Sequence, residues 1–337
     1  MSLGALEPAA AEPELPVPPG ASASPGARVS RATERTMTVV NGDLRLGPRL
    51  RALWDNRELL LLFIRTELKV KYKGSVLGFL WSMLNPAMVL GIYWAAFSVI
   101  DRGGGIPRFV IWLFAGLLAW NLFNNSAMTS TTVVVGQAGI VKKVAFPREL
   151  LALSTVGVAV FLFAIQVGVL IVVMAALGMT PAWAYLADLP LAIVDLIVFT
   201  SATAIFLSAV NVYFRDTQHL TEVALMAWFW GTPVVYAYGS IASLVARHPS
   251  ILFLKYLYLC NPMTPIAMTF QRAIYGKASY VSPAAGNTAH VVTPLLPNLS
   301  VGGYALGLVA LLVVSVALFL GALVVFGRLE GNFAEEL

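Results

Sequence analysis

The sequence predicts an all-α integral membrane protein: six transmembrane helices, an N-terminal amphipathic interfacial helix, and a re-entrant helical hairpin between helices 5 and 6. Three observations predict it. Hydrophobic residues fill 58% of the 337 positions and charged residues only 12%, a balance unsuited to a water-soluble globule. Apolar runs of roughly 20 residues, the length that crosses a hydrocarbon core, recur along the chain. Basic residues gather beside those runs, where anionic headgroups attract them.

Residues 1–44, rich in Ala, Pro, Gly and Ser near the start, lack helical periodicity and read as a disordered cytosolic tail. The membrane domain then covers 45–337. Its first piece, about 45–73, sets Leu50, Leu53, Trp54 and the apolar block 59–64 among Arg49, Arg51, Arg57, Arg65 and Lys69. That mixture suits a helix lying in the membrane interface. Spans follow at 74–100, 109–135, 150–178, 183–210, 223–238 and 303–326. The fifth extends back through His219, and the fourth holds Asp188 and Asp195.

Between the fifth and sixth spans, the apolar pieces 251–259 and 262–274 are too short to cross and too greasy for a solvated loop. A re-entrant outer segment over about 251–276 fits them. Asn261 before Pro262 is a good helix start, because the amide caps free N–H groups and proline is tolerated in the first turn. Gly276 suits the stop. Asn261, Pro262, Pro265 and Arg272 then mark a candidate outer gate.

With the N-terminus inside, the cytoplasmic side carries 16 Lys and Arg residues against six outside. This asymmetry predicts both termini in the cytoplasm. The net charge of +5 is thereby explained by the membrane, and nucleic acid is set aside as a partner.

Chemistry-bearing motifs are missing. The nearest fragment to a phosphate loop, Gly276-Lys277-Ala278, lacks the upstream glycine and the hydroxyl. His219, His248 and His290 are far apart in sequence, Cys260 is the one cysteine, and no Asp-x-Asp pair offers a metal-bound sugar nucleotide site. No catalytic or metal residues are assigned, and no cofactor is expected in this chain. Asp195 is the deepest charged residue, and a lone acid suits a structural role better than a proton relay.

Several motifs resemble those of a known family. Residues 67–81 place Lys69, Lys71 and Lys73 ahead of Gly74 and run through Trp81 to Asn85-Pro86. Further matches are Lys142-Lys143-Val144-Ala145-Phe146-Pro147-Arg148, Tyr213-Phe214-Arg215-Asp216, Thr232-Pro233-Val234-Val235-Tyr236 and Asn261-Pro262-Met263-Thr264-Pro265. In this order they resemble type-2 ABC exporter permeases that move polysaccharides, among them O-antigen and teichoic-acid exporters. Glu67 stands where the family often has Asp, and Lys71 where Arg is common.

The resemblance implies a homodimeric channel with two separate ABC ATPase subunits below it, ATP and Mg being used by those partners. It implies that Lys69, Lys71, Lys73, Lys142, Lys143 and Arg148 form the ATPase-coupling surface. It also implies a lipid-linked polysaccharide substrate, whose sugar faces suit aromatic side chains. Tyr93, Trp228 and Tyr236 are the channel-lining candidates by depth and spacing. The expected function is the transmembrane subunit of a polysaccharide exporter in the cytoplasmic membrane. Drug or lipid efflux by a related permease, or a membrane glycosyltransferase, are the alternatives.

Overall fold

The computed structural model describes residues 45–75, 80–100, 108–239, 245, 253, 256, 258, 260–277, 279–283 and 290–337. The tail over 1–44 and most of the predicted 251–259 helix lie outside the described residues.

The described residues open with two short helices, α1 (Leu46–Asp55) and α2 (Arg57–Tyr72). Asn56 separates them, its side chain amide returning to the Ala52 carbonyl at 2.8 Å. No residue of α2 is fully buried, as expected of a helix covered on one face by lipid headgroups. Next come α3 (Leu80–Ile100), α4 (Phe109–Gly136), the single turn α5 (Ala138–Val141), α6 (Glu149–Ala176), and α7 (Leu189–Tyr213) after a short 3-10 turn. They are followed by α8 (Thr217–Trp230), α9 (Met263–Tyr275) and α10 (Val301–Leu329). A further 3-10 turn (Glu330–Asn332) leads into α11 (Phe333–Glu336).

Among the described residues, four helical segments are long and apolar enough to cross a membrane: Phe109–Gly136, Glu149–Ala176, Tyr185–Tyr213 and Val301–Asn332. They carry the second, third, fourth and sixth predicted spans. α3 stands where the first was expected, with 21 residues and Pro86 inside it. The fifth is shorter than predicted: α8 has 14 residues, about 21 Å at 1.5 Å per residue. Pro233 explains its end, since it lacks an N–H and holds the residue before it out of the helical region.

One element departs from all-helix. Ser279–Pro283 (β1) and His290–Pro294 (β2) pair antiparallel, Val281 opposite Val292, where the sequence suggested only a connection.

α4 is the centre of the bundle, most of its first half being buried. Trp112, Phe114 and Phe123 of α4 join Phe270 of α9 and Leu196 of α7 in the larger apolar core. A second core gathers Val141, Leu151, Ile205, Phe326 and Phe333. α7 and α10 run in the same direction: Tyr185 and Tyr304 stack edge to face at one end, and the Tyr213 hydroxyl meets the Leu329 carbonyl at 2.7 Å at the other.

Candidate functional site

Three sets of residues follow from this framework. The first joins α2 to the loop between α4 and α6. Ile64 lies against Gly157 of α6 so closely that a Cβ there would fall 2.7 Å from its Cγ1. Phe63 packs on Phe146 of the loop with ring centroids 5.6 Å apart, and the Ser154 hydroxyl donates to Glu67 at 2.7 Å. Both halves of the predicted coupling surface therefore meet in space. Lys69, Lys71, Lys73, Lys142 and Lys143 are exposed on it.

Arg148 is different. Its Nη1 donates to the Glu330 carbonyl at 2.8 Å, and its guanidinium lies 5.8 Å from the centre of the Phe333 ring. Beside it, the buried Arg49 of α1 donates to Glu149 and, at 3.0 Å, to Glu330. Arg49, Glu149 and Glu330 were not found from sequence, because the pairs lie 100 and 281 residues apart.

Burial raises the Glu67 carboxyl above its usual range, and the Ser154 hydrogen bond offsets part of that. Ionisation therefore disfavours the docked α2. The docked form is favoured below the ordinary carboxyl pKa and loses ground as pH rises through the raised value. Melting of the purified chain, followed as pH rises from below the ordinary carboxyl range, is expected to decline more steeply in the parent than in Glu67→Gln.

The second set is the break after α8, where the helix leaves carbonyls without intrahelical partners. The Thr232 hydroxyl donates to the Trp228 carbonyl at 2.9 Å and the Tyr236 hydroxyl to the Trp230 carbonyl at 2.7 Å. Asn261 Nδ2 reaches the Gly231 carbonyl at 3.0 Å, and Gln271 Nε2 the Pro233 carbonyl at 2.9 Å. Asn261 Oδ1 meanwhile accepts from the Trp228 indole at 2.8 Å and from Met263 N at 3.0 Å. Asn261 thus starts α9, as the sequence suggested, and also ties it to α8. Gly276, at φ 80°, ends α9 at the expected residue.

Two of the three aromatic candidates have their polar atoms engaged here, Trp228 with Asn261 and Tyr236 with Trp230. Trp228 further packs edge-on against Phe123 and Phe199. Tyr93 is partly buried against the larger core. Among the outer residues, Pro262 precedes α9, Pro265 accepts from the Thr269 hydroxyl at 2.8 Å, and Arg272 donates to the Gly276 carbonyl at 2.7 Å and the Tyr185 hydroxyl at 3.1 Å.

The third set is a polar groove. Asn121, Asn125, Thr129 and Thr132 of α4, at helical spacings of four, four and three, line one face over about 17 Å. Asn121 Nδ2 faces Gln166 of α6 at 3.4 Å. Asn125, Thr129, Thr132 and Gln166 line an open cavity of about 870 Å³, with Thr66, Glu67, Lys71 and Tyr72 of α2 along its wall. Asn125, Thr129 and Thr132 are exposed, which is costly against hydrocarbon but favourable against water or a polar ligand. Periodicity alone could have revealed this stripe, since neutral amides and hydroxyls mark it without charge.

Sequence similarity connects the chain to a known family. The family model described as ABC-2 type transporter matches residues 58–275, which spans α2 through α9. An O-antigen export system permease protein RfbA of Myxococcus xanthus is 33% identical over 226 residues, covering 67% of this chain and 84% of that protein. A protein of the same name from Klebsiella pneumoniae is 34% identical over 180 residues, 53% of this chain and 69% of its own length. With α2, the break after α8 and α9 all inside the matched region, the chain belongs to the ABC-2 type transporter family, as a transport permease rather than an enzyme.

Proposed function

We propose that this chain is the membrane subunit of an ATP-driven exporter for a lipid-linked polysaccharide of the O-antigen class, working as a homodimer with two ATPase subunits. ATP and magnesium are used by those partners. The observation that carries the reading is the amide and hydroxyl ladder on α4. Such groups exchange hydrogen bonds with sugar hydroxyls or water as a chain passes, without fixing its register. The names of the relatives at 33% and 34% identity support the cargo class.

Placement in the cytoplasmic membrane with both termini inside is supported by the 16 to six distribution of Lys and Arg. It is also supported by Arg49 near the start of the described chain meeting Glu330 near its end, which puts both on one side of the bundle. The exposed Lys142 and Lys143, with α2 beside them, then face the ATPase.

Expressed alone, the chain is expected to hydrolyse no ATP, and co-expression with its ATPase to yield a complex of two permeases and two ATPases. In that complex, Asn125→Leu, Thr129→Val and Thr132→Val together are expected to lower polysaccharide export about tenfold or more, with assembly and ATP hydrolysis retained. Normal export by the triple variant overturns the groove as the path. Export of a hydrophobic drug or phospholipid in place of polysaccharide overturns the cargo.

A further inference from the structure

The cytoplasmic charge cluster has a geometry that anchoring to headgroups does not require. Arg49 is 2% exposed, and its guanidinium occupies a notch made by Gly327 of α10, where a Cβ would lie 2.6 Å from Nη2. The two terminal nitrogens of the one guanidinium are divided between different elements. One meets Glu149 at the first turn of α6, and the other meets Glu330 just after α10. Arg148, one residue before α6, closes the circuit through the Glu330 carbonyl. Phe333 of α11 is fully buried beneath it and packs on Phe326 and Tyr213.

A planar fork of fixed geometry suits two carboxylates at set positions, which an ammonium on a flexible stem does not reproduce. The sites joined are the entry helix α1, the exit of the basic loop, and the end of the last membrane helix.

We propose that Arg49 is a positioning residue for energy coupling. It locks α1, the start of α6 and the end of α10 into one rigid cytoplasmic block, so that displacement of the Lys142 and Lys143 loop moves all three together. This rests on the ATP-driven reading above. The contacts explain how a push on one short loop reaches helices at both ends of the chain. Without the fork, α2 and the loop still touch through Phe63 and Phe146, but α1 loses its tie to α10, and Arg148 alone joins the loop to Glu330.

The test uses the assembled exporter in vesicles, in a Cys260→Ala background. Arg49→Gln is expected to keep ATP hydrolysis within about twofold while export per ATP falls about tenfold, with Arg49→Lys between the two. A second measurement leaves Arg49 in place. Spin labels at Arg51→Cys and Glu336→Cys, both exposed positions, are expected to keep one separation in the nucleotide-free and ATP-trapped states. The separation from Gln218→Cys on α8 to Glu336→Cys changes between those states.

Hydrolysis and export falling together, in proportion to the complex recovered, would show a merely structural role and overturn the proposal. So would an Arg51 to Glu336 separation that changes with ATP. A parent chain that neither assembles with an ATPase nor exports removes the exporter reading itself. That failure is recognised without any substitution at Arg49.

Discussion

Asn261→Leu is expected to be the most damaging single substitution in the α8–α9 region, lowering stability by about 3–5 kcal/mol. The side chain makes four hydrogen bonds: to the Trp228 indole, Met263 N, the Gly231 carbonyl and the Thr232 hydroxyl. Each partner left unpaired away from water costs about 1–3 kcal/mol, and leucine replaces none of them. Asn261→Asp retains the acceptor for Trp228 and Met263 but turns an acceptor toward the Gly231 carbonyl, so it is expected to fall between leucine and the parent. Melting of the detergent-purified chain, followed by the fluorescence of the Trp228 neighbourhood, reads both variants. If leucine melts like the parent, α9 is not held to α8 by this residue. The same bonds make α9 and the end of α8 one body. An outer gate at Asn261, Pro262, Pro265 and Arg272 would then open by moving α8 with α9.

Arg148→Glu is expected to destabilise the cytoplasmic side by about 1–3 kcal/mol, because it sets a third carboxylate beside Glu149 and Glu330 and removes a half-buried cation. The membrane-inserted yield should drop severely, and Arg148→Gln less so. Replacing Lys142 and Lys143 by Glu is expected to leave yield near the parent value, since both side chains are exposed and have no burial to lose. That double variant is expected to reduce export by weakening contact with the ATPase. Quantitative blotting of membranes beside an export assay separates the two outcomes. Equal yields for Arg148→Glu and Lys142→Glu/Lys143→Glu would show that Arg148 is not part of the cluster.

Local signals in the sequence carried far. The apolar runs located the four long membrane helices, and the mixture of arginines and leucines located the stretch 45–73, expected as one helix and divided at Asn56 into α1 and α2. Asn261 and Gly276 bounded α9 almost to the residue, because helix ends depend on groups within one turn. Pro233 was visible too, yet the expected span was carried through it to residue 238. Its consequence depends on Asn261 and Gln271, which arrive from 30 and 38 residues away to satisfy the freed carbonyls. Arg49 resembled any interfacial arginine, and its burial against Gly327, Glu149 and Glu330 separates it from Arg51 and Arg57. The α4 stripe of the groove has no charge or aromatic ring to mark it in the sequence, since Asn125, Thr129 and Thr132 are neutral and small.

The cytoplasmic cluster also has an electrical meaning. Arg49 and Arg148 stand against Glu149 and Glu330, two cations to two carboxylates. Moving one charge through 100 mV involves about 2.3 kcal/mol, but four charges that balance and shift together do almost no work against the field. The cluster itself would therefore add little voltage dependence to the proposed coupling stroke.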